Sequence, residues 1–154
     1  GLPEAAAAQV GTRSNIVKLS TENKAGVEGV LYALGGFSGG MSVWLQDNKL
    51  HYEYNKFMVE RTQLVTEALP QGKLAIEIES RKDGPGTQGM DVVIRVNGKE
   101  AAKGRIPETA SVGFTPNDSF DVGRDTQSPV SKVYFDKAPF AFTGSIDEFT
   151  VDYL

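Results

Sequence analysis

Hydrophobic and polar residues alternate with a period of two along most of this chain. In the stretch AIEIESR, Ile76 and Ile78 fall on one side of an extended segment and Glu77 and Glu79 on the other, so one face meets a core and the other meets water. Sheets that are wet on one side are antiparallel as a rule. Similar segments recur to the end of the chain: SNIVKLS, EGVLYALGG, GGMSVWLQD, KLHYEYN, ERTQLVTE, KLAIEIES, MDVVIRVN, KEAAKGRI, FDVGRD, VYFD and GSIDEFTVDYL. The pattern predicts an all-β fold with almost no helix.

Turn-forming residues separate these segments. The separators are rich in Gly, Pro, Asn and Asp (GGFSGG, QDNK, LPQGK, DGPGTQG, VNGK, TPND and KAPF), at a spacing typical of a β-sandwich or barrel. VNGK, at 96–99, is the strongest hairpin signal, because Asn-Gly accepts the positive φ angles of a type I′ turn. We interpret GGFSGG, at 35–40, as a hairpin loop and not a phosphate-binding loop, since neither Lys-Ser, Lys-Thr nor a helix follows it. We predict a two-sheet antiparallel jelly-roll β-sandwich.

Composition narrows the function classes. The 154 residues carry a net charge of −4 without a basic cluster, which argues against nucleic-acid binding. No apolar run approaches the roughly 18 residues of a membrane helix. Because the chain has no Cys, disulfides and Cys-ligated zinc are excluded. The length suits one domain, which we place at 14–154, and we expect 1–13 (GLPEAAAAQVGTR) to be a linker or lead-in from a preceding part of a longer protein.

The order of the segments resembles a known architecture. The runs GVLYALGGFSGGMSVWLQDNKLHYEYN, LPQGKLAIEIE and DVVIRVNGKEAAKGRI resemble the concanavalin A-like sandwich of laminin G-like domains. The end of the chain, FDVGRDTQSPVSKVY followed by PFAFTGSIDEFTVDYL, is similar to the C-terminal region of bacterial arylsulfatases, in which a DVG-x-D-x-x-SPV segment precedes a last F-x-G-x-I strand. The similarity runs from Gly29 to Leu154.

The resemblance implies a parent arylsulfatase, a periplasmic or secreted bacterial enzyme that hydrolyses sulfate esters with a formylglycine nucleophile and a calcium ion. This chain departs from such an enzyme: it has no Cys, Ser128-Pro129 lacks the spacing and the Arg of the (C/S)-x-P-x-R motif, and His51 is its only His. We therefore expect a non-catalytic accessory domain that packs on the catalytic sulfatase domain of the same chain and shapes substrate access or assembly. The alternative is a carbohydrate-binding, lectin-like module.

Aromatic side chains are candidates for either role. In MSVWLQD the apolar residues 41, 43 and 45 share one face, which leaves Trp44 among polar neighbours. A sugar ring stacks on an exposed aromatic of this kind, whereas burial in a core or against another domain gives the same pattern. The ligand or interface candidates are Trp44, Tyr52, Tyr54 and Phe57.

Oxygen-bearing side chains concentrate in TPNDSFDVGRDTQSP. Asp118, Asp121 and Asp125 could supply ligands for calcium, and in laminin G-like domains calcium often lies at a loop rim. The spacing is not that of an EF-hand, however, and Asp before a turn commonly bonds its own backbone. We expect a structural turn, with a calcium site as the alternative and no other cofactor.

The remaining candidates for catalysis or metal binding are paired carboxylates and the single His. Glu77 and Glu79 share a strand face, as in retaining glucanases of this fold, but no third acid follows them. Asp147 and Asp152 fall on opposite faces of the last strand. His51 has no second His or Cys with which to hold zinc. We expect solvated surface charges and no enzymatic activity of this chain alone.

Overall fold

The structure is a computed structural model. It describes residues 10, 12–36, 39–56, 60–109, 120–123, 131, 135–137 and 140–154, with the backbone alone at Gly36, Phe120, Asp121 and Phe135. Ten strands lie in these ranges: β1 (Asn15–Asn23), β2 (Gly29–Gly36), β3 (Gly39–Gln46), β4 (Lys49–Lys56), β5 (Glu60–Val65), β6 (Gly72–Lys82), β7 (Met90–Val96), β8 (Lys99–Ile106), β9 (Phe120–Val122) and β10 (Ile146–Tyr153). Each predicted segment except VYFD coincides with one of them.

The strands form two antiparallel sheets of five strands each. Sheet A has the order β10-β1-β6-β7-β8, and sheet B has the order β5-β4-β3-β2-β9. One face of each sheet meets the other sheet, and the opposite face points outward. This arrangement confirms the predicted all-β, two-sheet antiparallel sandwich.

The main hydrophobic core fills the space between the sheets. On β6, Ile76 and Ile78 are buried in this core, whereas Glu77 and Glu79 lie half-buried on the outer side. Burying one such aliphatic side chain contributes about 1.5–3 kcal/mol. Because a slip of one residue would turn every buried side chain of a strand toward water, the alternation also fixes the register of the sheets.

Tight turns join consecutive strands. Asn97 and Gly98 have φ angles of 52° and 82° between β7 and β8, as a type I′ turn requires. Asp47 and Asn48, at 54° and 59°, do the same between β3 and β4. The pairing of β2 with β3 confirms the hairpin predicted at 35–40.

The strand predicted at VYFD is wrong. Its last two residues begin a 3₁₀ helix, Phe135–Lys137, while 133 and 134 lie outside the described residues. The Lys137 carbonyl oxygen accepts a hydrogen bond from the Phe140 N–H at 2.7 Å, so a local turn uses a group that a strand would offer to a neighbour. Neither this helix nor any other in the described ranges is long and apolar enough to span a membrane.

The lead-in segment contacts the sandwich at Val10. This side chain is buried in the main core, and Asn15 Nδ2 donates hydrogen bonds to the carbonyl oxygens of Val10 at 2.9 Å and Arg13 at 2.7 Å. Val10 therefore packs on the sandwich before β1 begins, and the domain boundary at residue 14 stays a prediction.

Candidate functional site

The outer face of sheet B carries side chains in rows that cross the strands; we call this surface the outer B face. Cross-strand pairing defines a polar row of Gln63, Glu53, Ser42, Ala33 and Asp121, an aromatic row of Val65, His51, Trp44 and Val30, and a third row of Arg61, Asn55, Gly40 and Gly35. The polar and aromatic rows lie side by side.

Glu53 is the centre of the polar row. Its side chain is completely buried and accepts hydrogen bonds from Arg61 Nη1 at 2.6 Å, from Gln63 Nε2 at 2.5 Å and from Ser131 Oγ at 3.1 Å. A buried carboxylate is tolerated only when it is paired with a positive charge and hydrogen-bonded. The same contacts therefore fix the side chains of Arg61 and Gln63. Gln63 is exposed, and 17% of the Arg61 side chain is exposed. The hydrogen bonds of the buried carboxylate therefore connect it to two side chains at an open edge, on β5.

Two further polar residues flank Glu53 and are also buried. Ser42 lies opposite Glu53 on β3, and Asn55 lies two residues farther along β4; both have 0% exposure. Polar residues on an outward sheet face normally meet water. This part of the face is therefore covered by other segments of the chain, and Ser131 is a described residue in that cover.

The aromatic row contains a stacked pair of rings. The Trp44 and His51 rings are 5.1 Å apart between centroids, with 11° between their planes. Gln46 holds both: its side-chain Oε1 accepts from Trp44 Nε1 at 3.1 Å, and its carbonyl oxygen accepts from His51 Nε2 at 3.2 Å. Burial lowers the pKa of His51 below its ordinary 6.5, an effect that the Gln46 bond and Asp47 oppose and Lys49 reinforces. The imidazole is therefore neutral at pH 7.

Phe140 belongs to a hydrophobic cluster with two residues of the aromatic row. Val30, Ala33, Trp44 and Phe140 form a hydrophobic cluster separate from the main core. Only 1% of Trp44 and 6% of Phe140 are exposed. Trp44 is thus on the outer B face but is covered by its own chain.

The structure buries the described aromatic candidates. Tyr52 and Tyr54 are each 1% exposed and belong to the main core, because strand alternation on β4 turns them toward sheet A. Neither ring is open to a ligand in this structure. Trp44 is on the polar-lined face, as its neighbours predict, yet it is 1% exposed and not in an open groove. Phe57 lies outside the described residues.

The calcium candidates fall mostly outside the description. Asp118 and Asp125 are not among the described residues, and Asp121 is described by its backbone alone, opposite Ala33 at the end of the polar row. Elsewhere in the described ranges, no three His, Cys, Asp or Glu side chains come together as a metal site would require. Calcium binding at Asp118, Asp121 and Asp125 stays a prediction, as does the structural turn.

The outer face of sheet A, which we call the outer A face, carries exposed ion pairs. Glu77 Oε1 lies 3.6 Å from Lys18 Nζ, and Glu77 Oε2 lies 3.1 Å from Arg95 Nη1. Glu79 Oε2 lies 2.7 Å from Arg81 Nε, and Glu79 Oε1 lies 3.3 Å from Arg95 Nη1. The hydrogen bond from Arg81 lowers the pKa of Glu79, so this carboxylate is ionised at neutral pH and unsuited to act as a general acid. The geometry agrees with the predicted solvated face.

Sequence reasoning missed Glu53, Arg61 and Gln63. A signal was present, because KLHYEYN puts Glu53 on the face of His51, and ERTQLVTE puts Arg61 and Gln63 on one face of the next strand. What the pattern lacks is the register that sets Gln63 directly opposite Glu53. Without that register, Glu53 is one surface acid among many.

Solved structures share this fold. The carbohydrate-binding module CBM40 of Ruminococcus gnavus IT-sialidase, bound to α2,3-sialyllactose, is 16% identical with a TM-score of 0.68, over 97% of this chain and 82% of that chain. Leech intramolecular trans-sialidase is 14% identical with a TM-score of 0.65, over 97% of this chain and 23% of that chain. Domains LG4-5 of the mouse laminin α1 chain are 18% identical with a TM-score of 0.61, over 92% of this chain and 36% of that chain. These similarities confirm the concanavalin A-like, laminin G-like jelly-roll sandwich.

No protein-family model matches the chain, and no curated protein matches it. The predicted relationship to arylsulfatases gains no support from these comparisons and stays a prediction. So does the periplasmic or secreted location that was inferred from it.

Proposed function

We propose that this chain is a non-catalytic, lectin-like carbohydrate-binding module whose sugar contacts lie on the outer B face. The hydrogen bonds of Glu53 are the observation that carries the proposal: this buried carboxylate holds Gln63 of the polar row and Arg61 of the third row in fixed positions at an open edge. The fold supports the proposal, because the solved structures that share it include a carbohydrate-binding module. It is the alternative that the sequence leaves open beside an accessory role.

Side chains that are fixed and can both donate and accept hydrogen bonds suit sugar hydroxyls, because each hydroxyl also donates and accepts. One amide N–H of Gln63 is bonded to Glu53, which leaves a second N–H and the amide oxygen for a ligand. Since these groups are ordered before a ligand arrives, little conformational entropy is lost on binding.

The neighbouring aromatic row supplies the apolar part of such a site. Sugar rings present C–H faces that pack on aromatic rings. His51 is half-buried beside the polar row, and Val65 is 49% exposed at the edge. A sugar lying along β4 and β5 would contact both rows at once.

The first ligands to test follow from the structural relatives. The R. gnavus module has been solved with α2,3-sialyllactose and with α2,6-sialyllactose. We therefore choose 3′-sialyllactose, 6′-sialyllactose and lactose for calorimetric titration, followed by a wider glycan array in case none of these binds.

The test compares two glutamines. Gln63→Ala removes a fixed hydrogen-bonding group from the polar row, and we expect about tenfold weaker binding of the best glycan, the equivalent of one or two hydrogen bonds. Gln71→Ala alters an exposed glutamine outside the strands and should leave the affinity unchanged. Failure to bind any glycan on the array, or equal losses in both variants, would contradict the proposal.

A more specific proposal concerns the protein to which the module belongs, and the resemblance of FDVGRDTQSPVSKVY to arylsulfatases supports it. We infer that the module serves an exported sulfatase, on whose catalytic domain it packs. The isolated chain should then release no product from a chromogenic aryl sulfate, because it has no formylglycine precursor motif. The full-length protein should contain a (C/S)-x-P-x-R motif, and its absence there would remove this inference while leaving carbohydrate binding intact.

A further inference from the structure

Gln46 fixes the His51 ring in one tautomer. The Gln46 carbonyl oxygen lies 3.2 Å from His51 Nε2, and its side-chain Oε1 accepts a hydrogen bond from Trp44 Nε1 at 3.1 Å. Because a carbonyl oxygen can only accept, the proton of the neutral imidazole must lie on Nε2. Nδ1 then carries a lone pair and can only accept a hydrogen bond.

This acceptor is open to a ligand. In the described part of the chain, His51 Nδ1 accepts no hydrogen bond, and it is not among the buried side-chain atoms that lack one. The ring stacks on that of Trp44, with 5.1 Å between the centroids and 11° between the planes, so its orientation is set before a ligand arrives. A fixed acceptor loses little conformational entropy when a donor binds it.

His51 lies diagonally across from Gln63. Val65 is directly opposite His51 on β5, and Gln63 is two residues before Val65 on the same face of that strand. Diagonal neighbours in an antiparallel pair are about 7–8 Å apart. One sugar residue between β4 and β5 would therefore be within reach of the Gln63 amide and the His51 ring, with the 49% exposed Val65 beside it.

We propose that His51 Nδ1 accepts a hydrogen bond from the bound sugar and so selects ligands that present a hydroxyl or an amide N–H at this position. The inference rests on the proposed carbohydrate-binding function and adds a polar contact to the aromatic row of the same site. Because Nδ1 accepts only while the imidazole is neutral, sugar binding and protonation of His51 oppose each other.

The charged groups around His51 leave the neutral ring available. Burial lowers the pKa of His51 and Lys49 acts in the same direction, whereas the Gln46 bond and Asp47 oppose them. Glu53, the next residue on this face of β4, is paired with Arg61 at 2.6 Å, so its charge is compensated. At pH 7 the acceptor is therefore present for a ligand.

The linkage between sugar and proton tests the proposal in the unaltered protein. A ligand that bonds the neutral ring must lower the pKa of His51, and protonation must weaken ligand binding reciprocally. His51 is the only His in the chain, so its Cε1–H resonance can be titrated with and without 3′-sialyllactose, 6′-sialyllactose, lactose or the best glycan of the array. We expect the midpoint to fall when the ligand is added. Calorimetry should show about fivefold weaker binding one pH unit below the free-protein midpoint than one unit above it, the equivalent of one hydrogen bond.

A variant separates the hydrogen bond from contact with the ring. His51→Phe keeps an aromatic ring beside Trp44 but has no acceptor, so it should bind the same glycan about fivefold more weakly at pH 7 and lose the pH dependence. If His51 were only an apolar surface, the Phe variant would bind equally well or more tightly. Gln63→Ala is the matched control, because it should weaken binding and keep the pH dependence of the wild type. Far-UV circular dichroism checks that both variants fold.

The outcomes distinguish this role of His51 from the proposed function. Suppose that the wild type binds a glycan but the His51 midpoint does not fall, that the affinity is equal or higher at the lower pH, or that folded His51→Phe binds as tightly as the wild type. Any of these results shows that His51 does not accept a hydrogen bond from the sugar, while the carbohydrate-binding function stands. If no glycan binds at either pH, the proposed function fails and the role of His51 fails with it.

Discussion

The outer A face and the outer B face begin from the same alternating pattern and end in different environments. On the outer A face, the Glu77 and Arg95 side chains are 31% and 30% exposed and pair at 3.1 Å. On the outer B face, the Glu53 side chain has 0% exposure. The strands themselves do not cause the difference, since both sheets alternate; Ser131, which follows β8, bonds Glu53 on the outer side of sheet B. The solvent exposure of a carboxylate on a strand therefore depends on the segment that covers it.

The two faces should therefore respond differently to mutation. Exposed ion pairs contribute about 0–1 kcal/mol because solvent screens them. Removing one partner of a buried pair costs about 3–5 kcal/mol, since it leaves a charge uncompensated away from water. The outer B face is the more sensitive one, and the predictions below measure by how much.

The largest effect is expected at Trp44. Trp44→Ala removes the central side chain of the small cluster and should lower the free energy of unfolding by about 4 kcal/mol. Val65→Ala, in the same row but 49% exposed, should change it by about 0.5 kcal/mol or less. Urea denaturation followed by far-UV circular dichroism measures both. If the losses in the free energy of unfolding agree within about 1 kcal/mol, the residues that cover Trp44 do not shield it from solvent.

The buried ion pair should rank second. Arg61→Ala leaves Glu53 charged and buried, and we expect a loss of about 3 kcal/mol in the free energy of unfolding. Arg81→Ala on the outer A face, where the Arg81 side chain is 60% exposed, should cost about 1 kcal/mol or less. The same denaturation experiment compares them.

A double variant shows whether charge burial is the cause. Adding Glu53→Leu to Arg61→Ala removes the uncompensated carboxylate and should recover much of the lost stability. If Arg61→Ala and Arg81→Ala cause equally small losses in the free energy of unfolding, Glu53 is not held in a buried ion pair. The contrast between the two faces then disappears.

Most of the fold was accessible from sequence because its signals are local. Asn97-Gly98 specifies its own turn, and apolar alternation specifies which side of a strand is buried. The pattern fails where the ladder is irregular: strict alternation would put Ile146 on the face of Glu148, but a β-bulge next to Ser20 shifts the register and Ile146 packs against the core. Such a bulge has no distinct signature in the chain.

The candidate site was less accessible because its contacts are distant along the chain. Glu53 and Gln63 are ten residues apart and pair across adjacent strands, so their contact follows once the hairpin register is known. Ser131 is 78 residues from Glu53, and Phe140 belongs to the same small cluster as Trp44 although it follows β8. No local pattern indicates that residues after β8, such as Ser131 and Phe140, return to sheet B.

The smallest effect concerns the pH dependence of His51 on the outer B face. Burial disfavours the charged imidazolium, so the pKa of His51 in the folded protein should lie below 6.5, its ordinary value. Because the unfolded chain then binds the proton more readily than the folded protein, this group's contribution to stability is complete above pH 6.5 and is lost as the pH falls. As the only His in the chain, His51 gives a single Cε1–H resonance whose NMR titration measures the pKa, with the urea-unfolded chain as the reference. His51→Gln should also flatten the change of stability between about pH 7.5 and 5.5, where carboxylates contribute little. A folded-state pKa equal to the unfolded reference would show that His51 is solvated like the residues of the outer A face, and that the cover of the outer B face ends at Trp44.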